Sequence, residues 1–403
     1  MLTADELRDR YAPALIGFEG RLDPASLMAE AEAGMGLADW GGEEHGEAGF
    51  RQRLHLLCDS LETESALSPL GRSRAHSRLY LNLCGRLGVV DWHRRHRAPA
   101  PIAAPLVGTG LARAGTSFFH QLLAQDPDNR VAPMAECMIP APPPGDAAFD
   151  AARFTLVGQI MDFHGLRRPE IEAVHPFAPE NAAECLALQA SAIGTEYQAH
   201  WAIPTFMARA SQDMPDLLRW QIAVMQALQD GPSDRRWLLK TPQHLGTWEQ
   251  TLTAFPGARV FINHRDPART IPSILSLFAA FHRQNTTRAI DPKALARGMV
   301  ERMDSMKKVT AWRDAHPQFK VVDVHYKRMT ADPIGEAERV YAEFGLHLGP
   351  AARQRMADFV KTSRHAHGPK HSYSLEEFGL SEVDIEAVFG DYLDRYGIVR
   401  ERG

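Results

Sequence analysis

Over the first hundred residues or so, apolar positions recur at helical rather than alternating spacing. Leu54, Leu57, Cys58 and Leu61 fall on one face, Leu79, Leu81, Leu83 and Leu87 crowd the next segment, and β-branched residues are few. A helical layer over residues 1–98 is therefore expected. From Pro105 the pattern changes. PLVGTG is a short apolar run bounded by glycine, GLARAGTS occupies residues 110 to 117, and SFFHQLLAQ places Phe118, Leu122 and Leu123 at helical spacing. The sequence thus predicts strand, glycine loop and helix. The proline-rich run APMAECMIPAPPPGD reads as a surface loop around Glu136, because proline interrupts regular structure. Residues 151–230 read as a helical insertion, which includes the aromatic and Met-rich stretch HWAIPTFM (His200 to Met207).

Two further strand-and-helix units follow. WLLK (Trp237 to Lys240) leads into TPQHLGTWEQTLTAF, and ARVFINHRD (Ala258 to Asp266) into PARTIPSILSLFAAF, where Pro267 suits a first helical turn. A later strand, FKVVDVHY (Phe319 to Tyr326), precedes the helix-like IGEAERVYAEFG. Strands alternating with helices imply an α/β fold with a central, mostly parallel sheet covered on both faces. We expect a three-layer domain of the P-loop type over residues 99–403, with the N-terminal helical layer and the 151–230 insertion added. A ligand of such a sheet lies at the carboxyl ends of the strands, where Arg113, Lys240, Arg265 and Tyr326 all fall.

Composition narrows the function. A chain of 403 residues with 44% apolar content buries a sizeable core. Its 45 Lys and Arg against 50 Asp and Glu leave a net charge of −5, which gives no overall reason to coat nucleic acid or an anionic membrane. Any anion site must be local. The first residues, MLTADELRDRYAP, lack a basic stub followed by an apolar run, and no apolar stretch is long enough to span a bilayer, so a cytoplasmic location is expected. Cys58, Cys84, Cys137 and Cys185 are scattered, which favours buried thiols over a disulfide framework or a zinc site. The basic run His93 to Arg97 reads as a helix end that complements the dipole and faces water.

GLARAGTS meets the phosphate-loop pattern G-x-x-x-x-G-K-[ST] except that Thr116 stands at the lysine position. Backbone amides at a helix N-terminus still point at an anion there, and the helix dipole favours negative charge. Triphosphate chemistry, however, loses a principal electrostatic partner. Arg113 supplies a permanent charge and a planar fork suited to an oxyanion. The loop is thus suited to a phosphate bearing a smaller terminal anion, and a phosphosulfate fits without a metal clamp. The plain alternative is a strand-to-helix turn that happens to hold two glycines.

GLARAGTSFFHQLLAQDPD, Glu136 with its prolines, WLLKTPQHL, FPGARVFINHRDPARTIPS and GPKHSYSLEEFGL together resemble the sulfotransferases dependent on 3′-phosphoadenosine 5′-phosphosulfate (PAPS), in the bacterial branch related to the tyrosylprotein and carbohydrate enzymes. The resemblance runs from about residue 70 onward. It implies that Arg113 and the amides of Gly115, Thr116 and Ser117 hold the 5′-phosphosulfate, with Ala114 replacing the serine usual there. It implies further that Arg265 and Ser273 hold the 3′-phosphate, that Lys240 touches the sulfate or the bridging oxygen, and that Tyr326 and Lys370 help hold the phosphates. Arg269 and Ser273 are four apart and share a helical face. The tripeptide HRD has no kinase partners around it: neither the downstream asparagine nor D-F-G is present.

Sulfuryl transfer to a hydroxyl needs a proton acceptor. The resemblance places Glu136 there, with His244 next and Glu180 or Glu184 also able to face the acceptor. His365, His367 and His371 lack acidic companions, so no metal site is expected. The implied acceptor is a hydroxyl of a small molecule, lipid or glycan, and HWAIPTFM suggests a partly apolar pocket. No nucleic-acid partner is expected, and a homo-oligomer is compatible with the sequence. Three rival readings stand beside this one: a P-loop kinase or NTPase, a nucleotide binder without transfer activity, and an interaction module using its N-terminal helices.

Overall fold

The computed structural model describes residues 3–172, 174–303, 305–363 and 374–401. Lys370, His365, His367 and His371 therefore lie outside the described residues. The chain divides into two compact units, one of residues 1–102, 132–233 and 280–289, the other of residues 103–131, 234–279 and 290–403.

The second unit carries the sheet. Its strands β1 (Leu106–Gly110), β2 (Asn129–Arg130), β3 (Arg236–Lys240), β4 (Arg259–His264) and β5 (Val321–His325) lie in the order β2-β3-β1-β4-β5, and every pairing is parallel. β1, β3 and β4 are buried almost throughout, as strands covered on both faces should be, whereas β5 alternates between buried and half-buried positions at the edge. One face packs Phe119, Leu122 and Leu123 of the helix Thr116–Leu123 and Val340 and Tyr341 of the helix Pro333–Glu343 against Leu106, Leu238, Phe261 and Val324. Gly108 leaves the room that the Phe261 ring fills, since a Cβ there would stand 2.5 Å from it. Away from that cluster, Trp248 of the helix Trp248–Ala254 meets Trp312 of the helix Ser305–Ala315 edge to face at 5.6 Å. The expected α/β architecture with a parallel sheet is thus observed.

Some elements differ from their expected form. TPQHLGTWEQTLTAF is not one helix: Pro242–Leu245 forms a single 3₁₀ turn, and after Gly246 the helix Trp248–Ala254 starts anew. The expected surface loop around Glu136 contains a one-turn helix, Met134–Met138, with Ala135, Glu136 and Cys137 buried. β2, with two residues, carries no periodicity that a sequence reading could detect.

The helical unit is built on Pro69–Arg95. Ser68 caps this helix and Pro69 opens it, and its residues are buried nearly all round, which marks a central helix. Gly71 permits its closest approach, because a Cβ there would sit 1.8 Å from the Asn285 carbonyl oxygen. Buried Arg74 donates to the Phe163 carbonyl and to Asn285 Oδ1, at 2.9 and 3.0 Å. At the helix end Arg94 pairs with Asp39, Arg95 with Asp91, and His96 stacks on Trp92. Trp201, Ile203 and Phe206 are buried. Within HWAIPTFM, His200, Trp201, Ile203 and Phe206 therefore pack inside this unit, while Ala202, Pro204 and Thr205 are exposed. All four cysteines are buried and unbridged. No helix of the described residues is long and apolar enough to cross a membrane.

Candidate active site

The glycine loop leaves β1 and turns into the helix Thr116–Leu123. Three residues take backbone angles in the left-handed region: Gly110 with φ 143°, Arg113 with φ 70° and Gly115 with φ 80°. Glycine is required at two of them. A Cβ on Gly110 would stand 2.3 Å from the Asn263 carbonyl oxygen, and one on Gly115 would stand 2.4 Å from the Met329 methyl and 3.1 Å from the Tyr326 ring. Gly115 is the N-cap of the helix, and among the described residues it makes no side-chain capping hydrogen bond. This is the cradle geometry that an anion needs.

Four side chains expected at the site converge on the loop. Lys240, the last residue of β3, is 2% exposed and donates from Nζ to Ser117 Oγ at 3.0 Å. Its position follows from the register, which sets Lys240 beside Gly108, two residues before the end of β1. Arg113 Nε donates to Ser273 Oγ at 3.1 Å. Arg265, directly after β4, donates from Nη1 to the Arg113 carbonyl at 3.3 Å, and its guanidinium lies 3.8 Å over the Tyr326 ring. Tyr326 is the first residue of the helix Tyr326–Ala331 rather than the last of the strand, and its ring is a platform for Arg265. Ala114 is fully buried, while Thr116 is buried in the first helical turn.

Asp266 was not anticipated as a site residue. It accepts from the Ala268 amide at 2.9 Å at the start of the helix Pro267–Asn285 and from the Glu401 amide at 2.6 Å. The sequence Asp-Pro at a helix start is a capping signal that could have revealed its first role. Glu401 also escaped sequence reading, being 136 positions from Arg265; its carboxylate takes the Arg265 Nε and Nη2 donors at 3.1 and 3.3 Å. No local pattern predicts that pair.

The two candidate bases differ in surroundings. His244 sits in the 3₁₀ turn, 2% exposed, with Nδ1 3.0 Å from Thr251 Oγ1 and a buried Nε2 that has no hydrogen-bond partner among the described residues. Burial pushes its pKa down to about 3, which makes it a poor proton acceptor at neutral pH. His120, behind the loop, is likewise pushed down to about 3, by burial first and then by the charge of Lys240. Glu136 belongs to the helical unit and is 7% exposed. Its short helix is tied down by Met134 and Ala135 amides that donate to the Asn181 and Pro179 carbonyls at 2.9 and 3.0 Å. Glu180, on the tying segment, is exposed, and Glu184 is half-buried. Among the described residues no group of three or more His, Cys, Asp or Glu is arranged to hold a metal.

A pH prediction follows from the two histidines. Their folded pKa values lie below the unfolded value of about 6.5, so unfolding takes up protons below that pH. Their contribution to stability is intact above about pH 6.5 and is lost as pH falls toward about 3. Urea midpoints measured from pH 7.5 down to 4.5 are expected to fall steadily, and His244→Asn is expected to flatten that slope. An unchanged slope in the variant would show that His244 takes up its proton at the same pH in the folded and the unfolded chain.

Residues 105–350, more than half of the chain, match the Sulfotransferase family. The crystal structure of sulfotransferase STF1 from Mycobacterium tuberculosis H37Rv superposes with a TM-score of 0.76 at 26% identity, covering 91% of this chain and 97% of that one. That of sulfotransferase STF9 from Mycobacterium avium gives a TM-score of 0.81 at 23% identity over 96% of this chain and 100% of that one, a likeness of fold. No curated protein matches by sequence. The phosphate-type loop without its lysine, the parallel sheet that carries it and the matched span place the chain in the sulfotransferase family.

Proposed function

We propose that this protein transfers the sulfuryl group of PAPS to a hydroxyl of a small-molecule, lipid or glycan acceptor, leaving adenosine 3′,5′-bisphosphate. The observation that carries the reading is the linked set of donors around the loop: Lys240 to Ser117, Arg113 to Ser273, and Arg265 to the Arg113 carbonyl. These contacts bring the expected 5′-phosphosulfate ligands and the expected 3′-phosphate ligands into one cluster. The amides of Gly115, Thr116 and Ser117 and the charges of Arg113 and Lys240 hold the oxygens on which charge develops. Arg265 and Ser273 hold the 3′-phosphate and so orient the donor for in-line displacement. Glu136 takes the proton of the acceptor hydroxyl. Thr116, in place of a lysine, argues against a kinase or NTPase, which needs that charge on the β and γ phosphates.

Calorimetric titration of adenosine 3′,5′-bisphosphate without Mg²⁺, beside ATP with Mg²⁺, tests the assignment. Wild type is expected to bind the bisphosphate, and Arg265→Ala to bind it roughly ten- to a hundredfold more weakly, since charge-assisted hydrogen bonds are lost. Preference for ATP with Mg²⁺ would overturn the reading and restore the kinase alternative.

A further inference from the structure

The segment that follows the helix Glu382–Arg395 runs back to the anion site. Ile398 is buried and its amide donates to the Leu393 carbonyl at 2.8 Å. Arg400 is held to the same helix by Glu386, at 2.9 Å from Nε, and by Asp394 at 3.0 Å. The helix is in turn moored to the sheet, with Tyr392 Oη 3.0 Å from His264 Nδ1. From this anchorage Glu401 reaches the start of the helix Pro267–Asn285. Its amide donates to Asp266 at 2.6 Å, its carbonyl accepts from Arg269 Nε at 2.7 Å, and its carboxylate takes two donors of Arg265, at 3.1 and 3.3 Å.

A carboxylate gripped by two nitrogens of one guanidinium uses the same fork that a phosphate uses. Arg265 cannot offer that edge to Glu401 and to a ligand at once. Resting on the functional reading above, we propose that Glu401 is an internal occupant of the 3′-phosphate subsite, one that the nucleotide displaces on entry and that returns to Arg265 as the product leaves. A 3′-phosphate wins the exchange because it carries more charge and more acceptor oxygens than the carboxylate. The exchange nevertheless lowers nucleotide affinity by the free energy of the broken pair, and it speeds release of a product whose departure limits turnover in many transferases. Arg400 is the fixed point of this strap, so that the Glu401 carboxylate can leave Arg265 while the segment before it stays in place.

The test is calorimetry and stopped-flow release with two probes, adenosine 3′,5′-bisphosphate and adenosine 5′-monophosphate, on the full chain. Glu401→Gln removes the charge, Glu401→Ala removes the acceptor as well, and Glu377→Gln, an exposed site in the same unit, controls for net charge. Both Glu401 variants are expected to bind the bisphosphate roughly five- to tenfold more tightly and to release it more slowly, with the monophosphate and the Glu377 control within about twofold of wild type. Unchanged or weaker bisphosphate binding would overturn the proposal, since Glu401 would then be a bystander or a support for Arg265. Equal tightening of both probes would overturn it too, as a general field effect. Absence of bisphosphate binding to wild type and variants alike would instead remove the functional reading itself, and this inference with it.

Discussion

Lys240→Met is expected to lower the turnover of sulfuryl transfer by roughly 10²–10³ while moving the dissociation constant of adenosine 3′,5′-bisphosphate by less than about threefold. The reason lies in where the charge is kept. Lys240 ends a strand that is buried on both faces, is 2% exposed, and is steadied by Ser117 at 3.0 Å. A fixed charge in a water-poor site acts strongly on charge that develops nearby and needs no reorganisation when it does so. Its field already reaches His120, whose depressed pKa it lowers further. Methionine preserves the length of the stem, so the comparison isolates the charge. Arginine is not expected to rescue, because its planar fork does not replace a compact ammonium in a buried slot. A variant with wild-type turnover would mean that Lys240 only fills the end of the sheet.

Glu136→Gln is expected to reduce turnover by roughly 10²–10⁴ and to leave nucleotide affinity unchanged, as removal of a general base does. Glutamine keeps the size of the side chain, and the backbone contacts that tie Met134 and Ala135 to Asn181 and Pro179 do not involve the side chain replaced. The exposed Glu180 supplies the comparison: Glu180→Gln should stay within about twofold of wild type. The assignment of the base fails if Glu136→Gln keeps full turnover while His244→Asn loses it. Should both lose turnover, pre-steady-state rates at several pH values would separate them, because only removal of the titrating base abolishes the acidic limb of the profile.

Much of this site was readable before any contact was known, and the reason is that its chemistry is written in local pattern. Gly110 and Gly115 stand where left-handed backbone is needed, Lys240 and Arg265 stand at or directly after the ends of apolar strands, and Ser273 lies one helical face along from Arg269. Each of these relations spans fewer than ten residues, so hydrophobic periodicity and turn chemistry suffice to state it. The parallel sheet follows from the same alternation of strands and helices.

Where the prediction departed from the molecule, a distant partner decided the outcome. The proline-rich run around Glu136 gained a helical turn because the backbone at Pro179 and Asn181 supplies acceptors that its own sequence cannot offer. Tyr326 opens a helix where a strand end was expected, and it meets Arg265 because strands β4 and β5, far apart in sequence, pair in register from Val260 with Val321 to His264 with His325. The union of residues 1–102 with 132–233 in one unit, like the grip of Glu401 on Arg265, rests on contacts between segments separated by tens to hundreds of positions. Sequence alone determined the glycine loop that holds Arg113 and the strand ends at which Lys240 and Arg265 stand. Tertiary structure alone decided which of them meet, since burial and ion pairing depend on distance in space, and periodicity carries no record of that beyond a single helix or strand.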